Sequence, residues 1–192
     1  MGRVRRPHVA GGMYHVYSRG NARSPIYLED ADYATFLGYL DKAVERCGWH
    51  CHGFCLMPNH YHLLIETPQP NLGLGMHVLN LSHARYFNWR YRQVGHVFHG
   101  PYGLRLLRRD AHLAELCRYI VLNPVRARLV EHPADWRWTS FRATAGLEPP
   151  PPFLEVDRIR GFFGGPMAFR DFVEARLIAL GDLFETVIAP QI

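Results

Sequence analysis

"HCHGFCLMPNHYHLLIET", residues 50–67, holds two short apolar runs on either side of Pro58-Asn59. A Pro-Asn break between strand-forming runs signals an antiparallel hairpin. In a strand, residues two apart share a face, so His60 and His62 project together while Tyr61 points the other way. Two imidazoles so placed can hold one divalent ion. They can equally be a hydrogen-bonded pair on a half-exposed strand, and the H-x-H pattern alone leaves both open. In the first run the alternation puts Cys51 and Cys55 on one face and His50 and His52 on the other. This is unlike the tight C-x2-C spacing of structural zinc sites, and the cysteines read as small hydrophobes.

Working outward, "GGMYHVYSRG" reads as a first strand over Met13–Ser18, bulky residues bounded by glycines. Tyr33, Phe36, Leu37, Leu40 and Val44 then recur at helical spacing, with Asp30 or Asp32 near the start and Gly48 as the stop. Beyond the hairpin, "GMHVLNLSHARYFNWRYRQ" predicts a helix carrying Val78, Leu81, Ala84, Tyr86 and Phe87. "HVFHGPYGLRLLR" predicts a bent strand or hairpin broken at Gly100-Pro101. "RDAHLAELCRYIVLNPVRARLV" predicts a helix from about Ala111 that Pro124 ends or kinks near Leu122 or Asn123. The order β-α-β-β-α-β, plus one further helix, predicts an α+β protein with a ferredoxin-like antiparallel sheet, its helices on one side. The tetraproline in "LEPPPPF" is a stiff linker to a short helical tail with Phe162, Phe163, Phe169, Phe172 and Val173 as its packing face. The expected division is a domain over 1–146 and an extension over 147–192.

The chain has 192 residues, enough for one sizeable core, and 48% hydrophobic against 20% charged residues excludes the disordered class. Of its 22 basic residues 21 are Arg, Lys42 being the only Lys. Between Leu81 and Val130 nine arginines face two acids, Asp110 and Glu115, so the middle of the chain carries a positive field suited to a polyanion. Arg3, Arg5 and Arg6 form a basic arm. The start lacks the apolar core of a signal peptide, no apolar run reaches the length of a membrane span, and Cys47, Cys51, Cys55 and Cys117 follow no secreted-scaffold pattern. An intracellular protein with no membrane partner is expected.

Tyr119 and Asn123, four apart in "CRYIVLNPVRARLV", share a helix face, so a phenol and an amide oxygen can be presented together over the sheet. A core tyrosine and a capping asparagine are the plainer reading of the same pair. Trp136 and Trp138 in "DWRWTSF" suit either a base-stacking surface or a cover for the core edge.

Together, "MPNHYHLL", "ARYFNWRY", "GHVFHGPY", "CRYIVLNPVRARLV" and "DWRWTSF" resemble, in order and spacing, the small single-tyrosine transposases of single-stranded DNA, most nearly their REP-associated subgroup. The resemblance spans roughly Gly12–Ala145 and also supports the ferredoxin-like sheet. It implies an HUH endonuclease in which His60 and His62 bind Mg2+ or Mn2+, with Asn123 as third ligand and Tyr119 as nucleophile. It further implies a 5′-phosphotyrosine intermediate and a substrate of single-stranded DNA folded into an imperfect palindromic hairpin. Arg85, Arg90, Arg92, Arg105, Arg108, Arg109, Arg126 and Arg128 become candidates for phosphate contacts. A cytoplasmic, nucleoid-associated protein, monomeric or homodimeric, is implied as well. A hairpin-binding protein without chemistry and a replication-initiator-like nickase are the alternatives.

Overall fold

The structure, a computed structural model, describes residues 9–108 and 110–188. Arg109 and the arm arginines Arg3, Arg5 and Arg6 lie outside the described residues. Strands β1 (Gly12–Arg19), β2 (His50–Met57), β3 (His60–Thr67) and β4 (Gly103–Leu106) form one antiparallel sheet in the order β2-β3-β1-β4. With α1 (Asp30–Cys47) between β1 and β2 and α2 (Leu72–Tyr91) between β3 and β4, this is the expected ferredoxin-like arrangement. Five helices follow: α3 (Asp110–Val121), α4 (Asn123–Arg126), α5 (Phe141–Thr144), α6 (Asp157–Phe163) and α7 (Pro166–Ile188). The break between α3 and α4 falls at Leu122, just before Pro124, which has no amide hydrogen to continue the ladder.

Pro58-Asn59 joins β2 to β3 so tightly that Met57 pairs with His60 and Leu56 with Tyr61. Period-two alternation then sorts the side chains. Tyr61, Leu63 and Ile65, with Tyr14 and Val16 of β1, pack on Phe36 and Leu40 of α1 and on Met76 and Leu79 of α2. Met13, Cys55, Met57 and Leu64 turn to the opposite face, under Cys117 and Ile120 of α3, Phe141 of α5, and Phe169 and Val173 of α7. So α1 and α2 cover one side of the sheet, while the further helix and the tail cover the other.

A capping box starts α1: Asp32 accepts from the amides of Leu28 and Glu29 at 2.8 and 3.0 Å, and Gly48 in the left-handed region ends the helix. Asp32 also accepts from Tyr86 and Tyr91 of α2 at 2.9 and 2.7 Å. Burial alone would raise this carboxyl, but the four hydrogen bonds outweigh it and hold the group below its ordinary range. Of the apolar residues that mark α2 in the sequence, Phe87 reaches the core, whereas Leu81 is 37% exposed. The buried stripe is Leu72, Met76, Leu79, His83 and Phe87.

Cys51 and Cys55 do not share a face. Cys51 pairs with Ile65 and Gly53 with Leu64, so His52 is an extra residue in β2, and this bulge turns Cys51 toward α1 and α2 while Cys55 faces α3. All four cysteines are buried thiols. Among the described residues no three His, Cys, Asp or Glu side chains are grouped to hold a metal.

The tail is built into this core. Leu154 bridges Cys51 in parallel, the Glu155 amide donates to the Cys51 carbonyl at 2.8 Å, and Arg158 of α6 pairs with Glu66 of β3 at 2.7 Å. Trp136 and Trp138 close the edge of β2. Trp136 Nε1 donates to the Leu56 carbonyl at 2.9 Å, and Trp138 is buried and stacked on Tyr33 at 4.8 Å. The α7 helix is also longer than the short helices expected there.

His83 is fully buried among aromatic rings and donates from Nε2 to the Ile26 carbonyl at 2.8 Å. Burial lowers it to about 4. A histidine so depressed stabilises the fold in full above its unfolded pKa near 6.5, and that stability is lost as pH falls toward 4, because only the unfolded chain takes up the proton. Urea titrations of native protein and His83→Gln between pH 7 and pH 4 should diverge by up to about 3 kcal/mol, the native protein having the steeper dependence.

Candidate active site

The register of β1 against β3 sets Tyr17 opposite His62 and Arg19 opposite His60. A polar stripe of β1, His15, Tyr17 and Arg19, therefore lies beside the histidine pair on the face away from α1 and α2. Gly103 of β4 stands opposite Tyr17, where a Cβ would lie 2.3 Å from the ring, so only glycine lets Tyr17 lie across β4.

Above this stripe runs α3. Although 56 residues separate them in sequence, the Tyr119 ring comes within 5.3 Å of the His62 ring and 6.0 Å of the His15 ring, edge-on to both. The His60 and His62 rings are 5.1 Å apart. A cavity of about 670 Å³ opens over them, lined by His60, His62, Tyr119, His15, Arg19 and Arg105 among others.

Hydrogen bonds determine which nitrogens of the pair are available. Asn59 donates its amide NH2 to the Arg23 carbonyl at 3.0 Å, so its Oδ1 must face His60 Nδ1, 2.7 Å away. An amide oxygen only accepts, so His60 carries its proton on Nδ1 and leaves a lone pair on Nε2. His62 Nδ1 lies 2.9 Å from His15 Nε2. If His62 is the donor there, its Nε2 is likewise a lone pair, the arrangement metal-binding histidines adopt. Burial, and behind it the neighbouring His15, His60 and Arg19, lowers His62 to about 3. Burial and Arg105 lower His15 to about 4, and burial and Arg19 lower His60. All three are neutral near pH 7 and thus suited to act as ligands.

Asn123 sits at the α3–α4 break, where its amide nitrogen donates to the Tyr119 carbonyl at 2.7 Å. Its side chain is outside the lining of the cavity. Glu115, one turn before Tyr119, does line it, with its carboxylate held 2.6 Å from Arg118.

The candidate arginines divide. Arg105 lines the cavity, and Arg126 lies over the Tyr119 ring at 5.4 Å. Arg85, Arg92, Arg108 and Arg128 are exposed elsewhere. Arg90 is engaged, 2.5 Å from Glu29 and 3.5 Å from Asp32, where it ties α2 to α1. His15, Tyr17, Arg19, Arg23 and Asn59 were not singled out from the sequence. For three of them a signal existed, since "HVYSR" alternates polar groups down one strand face.

The profile of a family described as IS200-like transposase matches residues 8–123, through both histidines and Tyr119. The chain belongs to the IS200-like transposase family. A Haemophilus influenzae protein whose name assigns it to the REP-associated tyrosine transposases is 27% identical over 161 residues, 77% of this chain and 90% of that protein. A solved structure of a REP-associated tyrosine transposase bound to a REP hairpin aligns with a TM-score of 0.65 at 17% identity, covering 82% of this chain and 93% of that one. The kinship and the fold read from the motifs are thereby met. Among the described residues no helix is long and apolar enough to cross a membrane.

Nitrogen-15 imidazole spectra of the metal-free protein at pH 7 should show His60 as the Nδ1–H tautomer. Asn59→Ala, which removes the acceptor, should shift His60 toward Nε2–H. An unchanged His60 signal in the variant would contradict the assignment.

Proposed function

We propose that this transposase is a metal-dependent enzyme that binds hairpins in single-stranded DNA and cleaves and rejoins the strand through Tyr119. The observation that carries the reading is the placement of the Tyr119 phenol over His62 and His60 in one cavity flanked by Arg19 and Arg105. The relative with the same fold is bound to a REP hairpin, and a palindromic hairpin of that kind is the proposed substrate here.

The histidines fit a divalent cation: they are neutral and adjacent, His60 is anchored through Nδ1 so that its Nε2 is left for a ligand, and His62 offers Nε2 in the tautomer that donates from Nδ1 to His15. His60 and His62 would hold it, and Asn123 is the proposed third donor through its side-chain Oδ1, which must turn inward from its place outside the cavity, where its Nδ2 donates to the Tyr119 carbonyl. Imidazole donors suit Mn2+ better than Mg2+, although either satisfies the charge. Such an ion, when bound, withdraws charge from the phosphate under attack.

The residues of the chain supply the rest. Tyr119 Oη attacks the phosphorus, its proton leaves, and the P–O3′ bond breaks as the departing 3′-oxygen takes up a proton. The 5′-phosphate stays on the tyrosine until a second 3′-hydroxyl reverses the exchange. A neutral phenol is a poor nucleophile and needs cationic surroundings to react, and Arg126 over the ring and Arg105 in the cavity provide them. Tyr119 lies over histidines of its own chain, so a monomer can complete the site without exchanging α3. The proposed place of action is the cytoplasm, at the nucleoid.

A denaturing gel tests the reading. Native protein with a flanked hairpin oligonucleotide and Mn2+ or Mg2+ should give a covalent adduct that EDTA abolishes. Tyr119→Phe should form none while retaining DNA affinity within about tenfold, since it loses one hydroxyl contact at most. An adduct formed normally by Tyr119→Phe would remove the nucleophile, and tight binding without any adduct by the native protein would favour a binding-only role.

A further inference from the structure

One buried contact under the cavity has no part in the reaction as written: His15 Nε2 lies 2.9 Å from His62 Nδ1. The two residues are diagonal neighbours on one face of the sheet, since His15 stands opposite Leu64 and Tyr17 opposite His62. Both side chains are withdrawn from solvent, at 8% and 6% exposure. A contact of this length between two ring nitrogens carries one proton, so one ring donates and the other accepts.

We infer that His15 is the positioning residue of the cation site: it accepts the Nδ1–H of His62 on its Nε2 and so holds His62 in the tautomer whose own Nε2 is a lone pair. The inference rests on the function proposed above and names the residue that prepares one of its two imidazole ligands.

The direction of the bond follows from the pair as a whole. Asn59 fixes His60 with its proton on Nδ1 and a lone pair on Nε2. The His60 and His62 rings are 5.1 Å apart and line the same cavity. With the shared proton on His62 Nδ1 the two rings match, each anchored through Nδ1 and each offering Nε2. With the proton on His15, His62 would carry N–H at Nε2, and only His60 would have a lone pair for a cation.

The His15 ring is also confined. Its centroid is 5.2 Å from that of Tyr17 and 6.0 Å from that of Tyr119. Tyr17 in turn is laid across β4 at Gly103, so the ring beside His15 is fixed by the backbone beneath it.

An imidazole suits position 15 better than a carboxylate, another acceptor that commonly supports a metal-binding histidine. Arg105 of β4 stands directly opposite His15. An acid at position 15 would pair with that arginine across the strands and take a cation from the cavity it lines. It would also set a negative charge beside the place a phosphate must occupy. A ring that accepts on Nε2 is uncharged, and it orients His62 without repelling the substrate.

Two measurements on the full chain without DNA test this. In nitrogen-15-labelled native protein at pH 7, a coupling between His62 Nδ1 and His15 Nε2 should appear across the hydrogen bond, with the proton on His62; a proton on His15 Nε2 would overturn the inference. The second measurement is Mn2+ affinity, read from the electron paramagnetic resonance of the free ion. His15→Phe keeps a ring and removes the acceptor, and it should weaken Mn2+ binding by about 10- to 100-fold. His15→Gln, whose side-chain oxygen accepts from His62, should recover most of that loss. A role in packing alone reverses this order, because Phe preserves the ring and Gln does not. Gln weaker than Phe, or Phe equal to the native protein, therefore overturns the inference while native Mn2+ binding upholds the metal reading. Native protein that binds no Mn2+ would overturn both.

Discussion

The turn Pro58-Asn59 holds the molecule in register. Beyond joining β2 to β3, it presents two carbonyls to the chain that leaves β1: Pro58 accepts from the amides of Ile26 and Tyr27, and Asn59 accepts from Gly20 at 2.8 Å. The Asn59 side chain adds the Arg23 carbonyl on one side and His60 on the other. A slip of one residue would turn every side chain of β3 over, sending His60 and His62 into the aromatic core and Tyr61 into the cavity. The backbone bonds that prevent this also bring His15 against His62.

Each face of the sheet then serves a different purpose. The α1–α2 side is closed by aromatic packing, with Asp32, the one buried carboxylate among the described residues, hydrogen-bonded to the start of α1 and to α2. The α3 side is apolar under its middle and tail, but at the end nearest β4 it is lined by polar rings. Burying His15 and His62 there, with His60 half-buried beside them, is tolerable because each is uncharged and two share a hydrogen bond. The same burial that makes them poor bases keeps their nitrogens ready as ligands at neutral pH.

Much of this was legible. The strand and helix order followed from hydrophobic period and breakers, and the family from motif order. The pairing of His62 with Tyr119 rests on motifs far apart in sequence, and the resemblance supplied what periodicity could not. What escaped had physical reasons. A bulge is one extra residue, invisible to an alternation count, so Cys51 and Cys55 were placed together. His15 becomes informative only when the β1 register is known, and His83 looks like a surface histidine until α2 is rotated to bury it. Arg90 shows the converse, a basic residue in a positive stretch that is held by two acids at the α1–α2 contact.

The bulge that misled the alternation count also bears on solubility. An open sheet has two outer edges whose unpaired amides and carbonyls invite other chains to add on. One edge here is β4, only four residues long. The other is β2, where the local twist at His52 ends regular geometry and Leu154, Glu155 and the Trp138 segment take up its outward hydrogen bonds. The residues around the tetraproline thus serve as a selvedge, and a chain cut before them would present the Cys51 end of β2 as a raw β-edge to its neighbours.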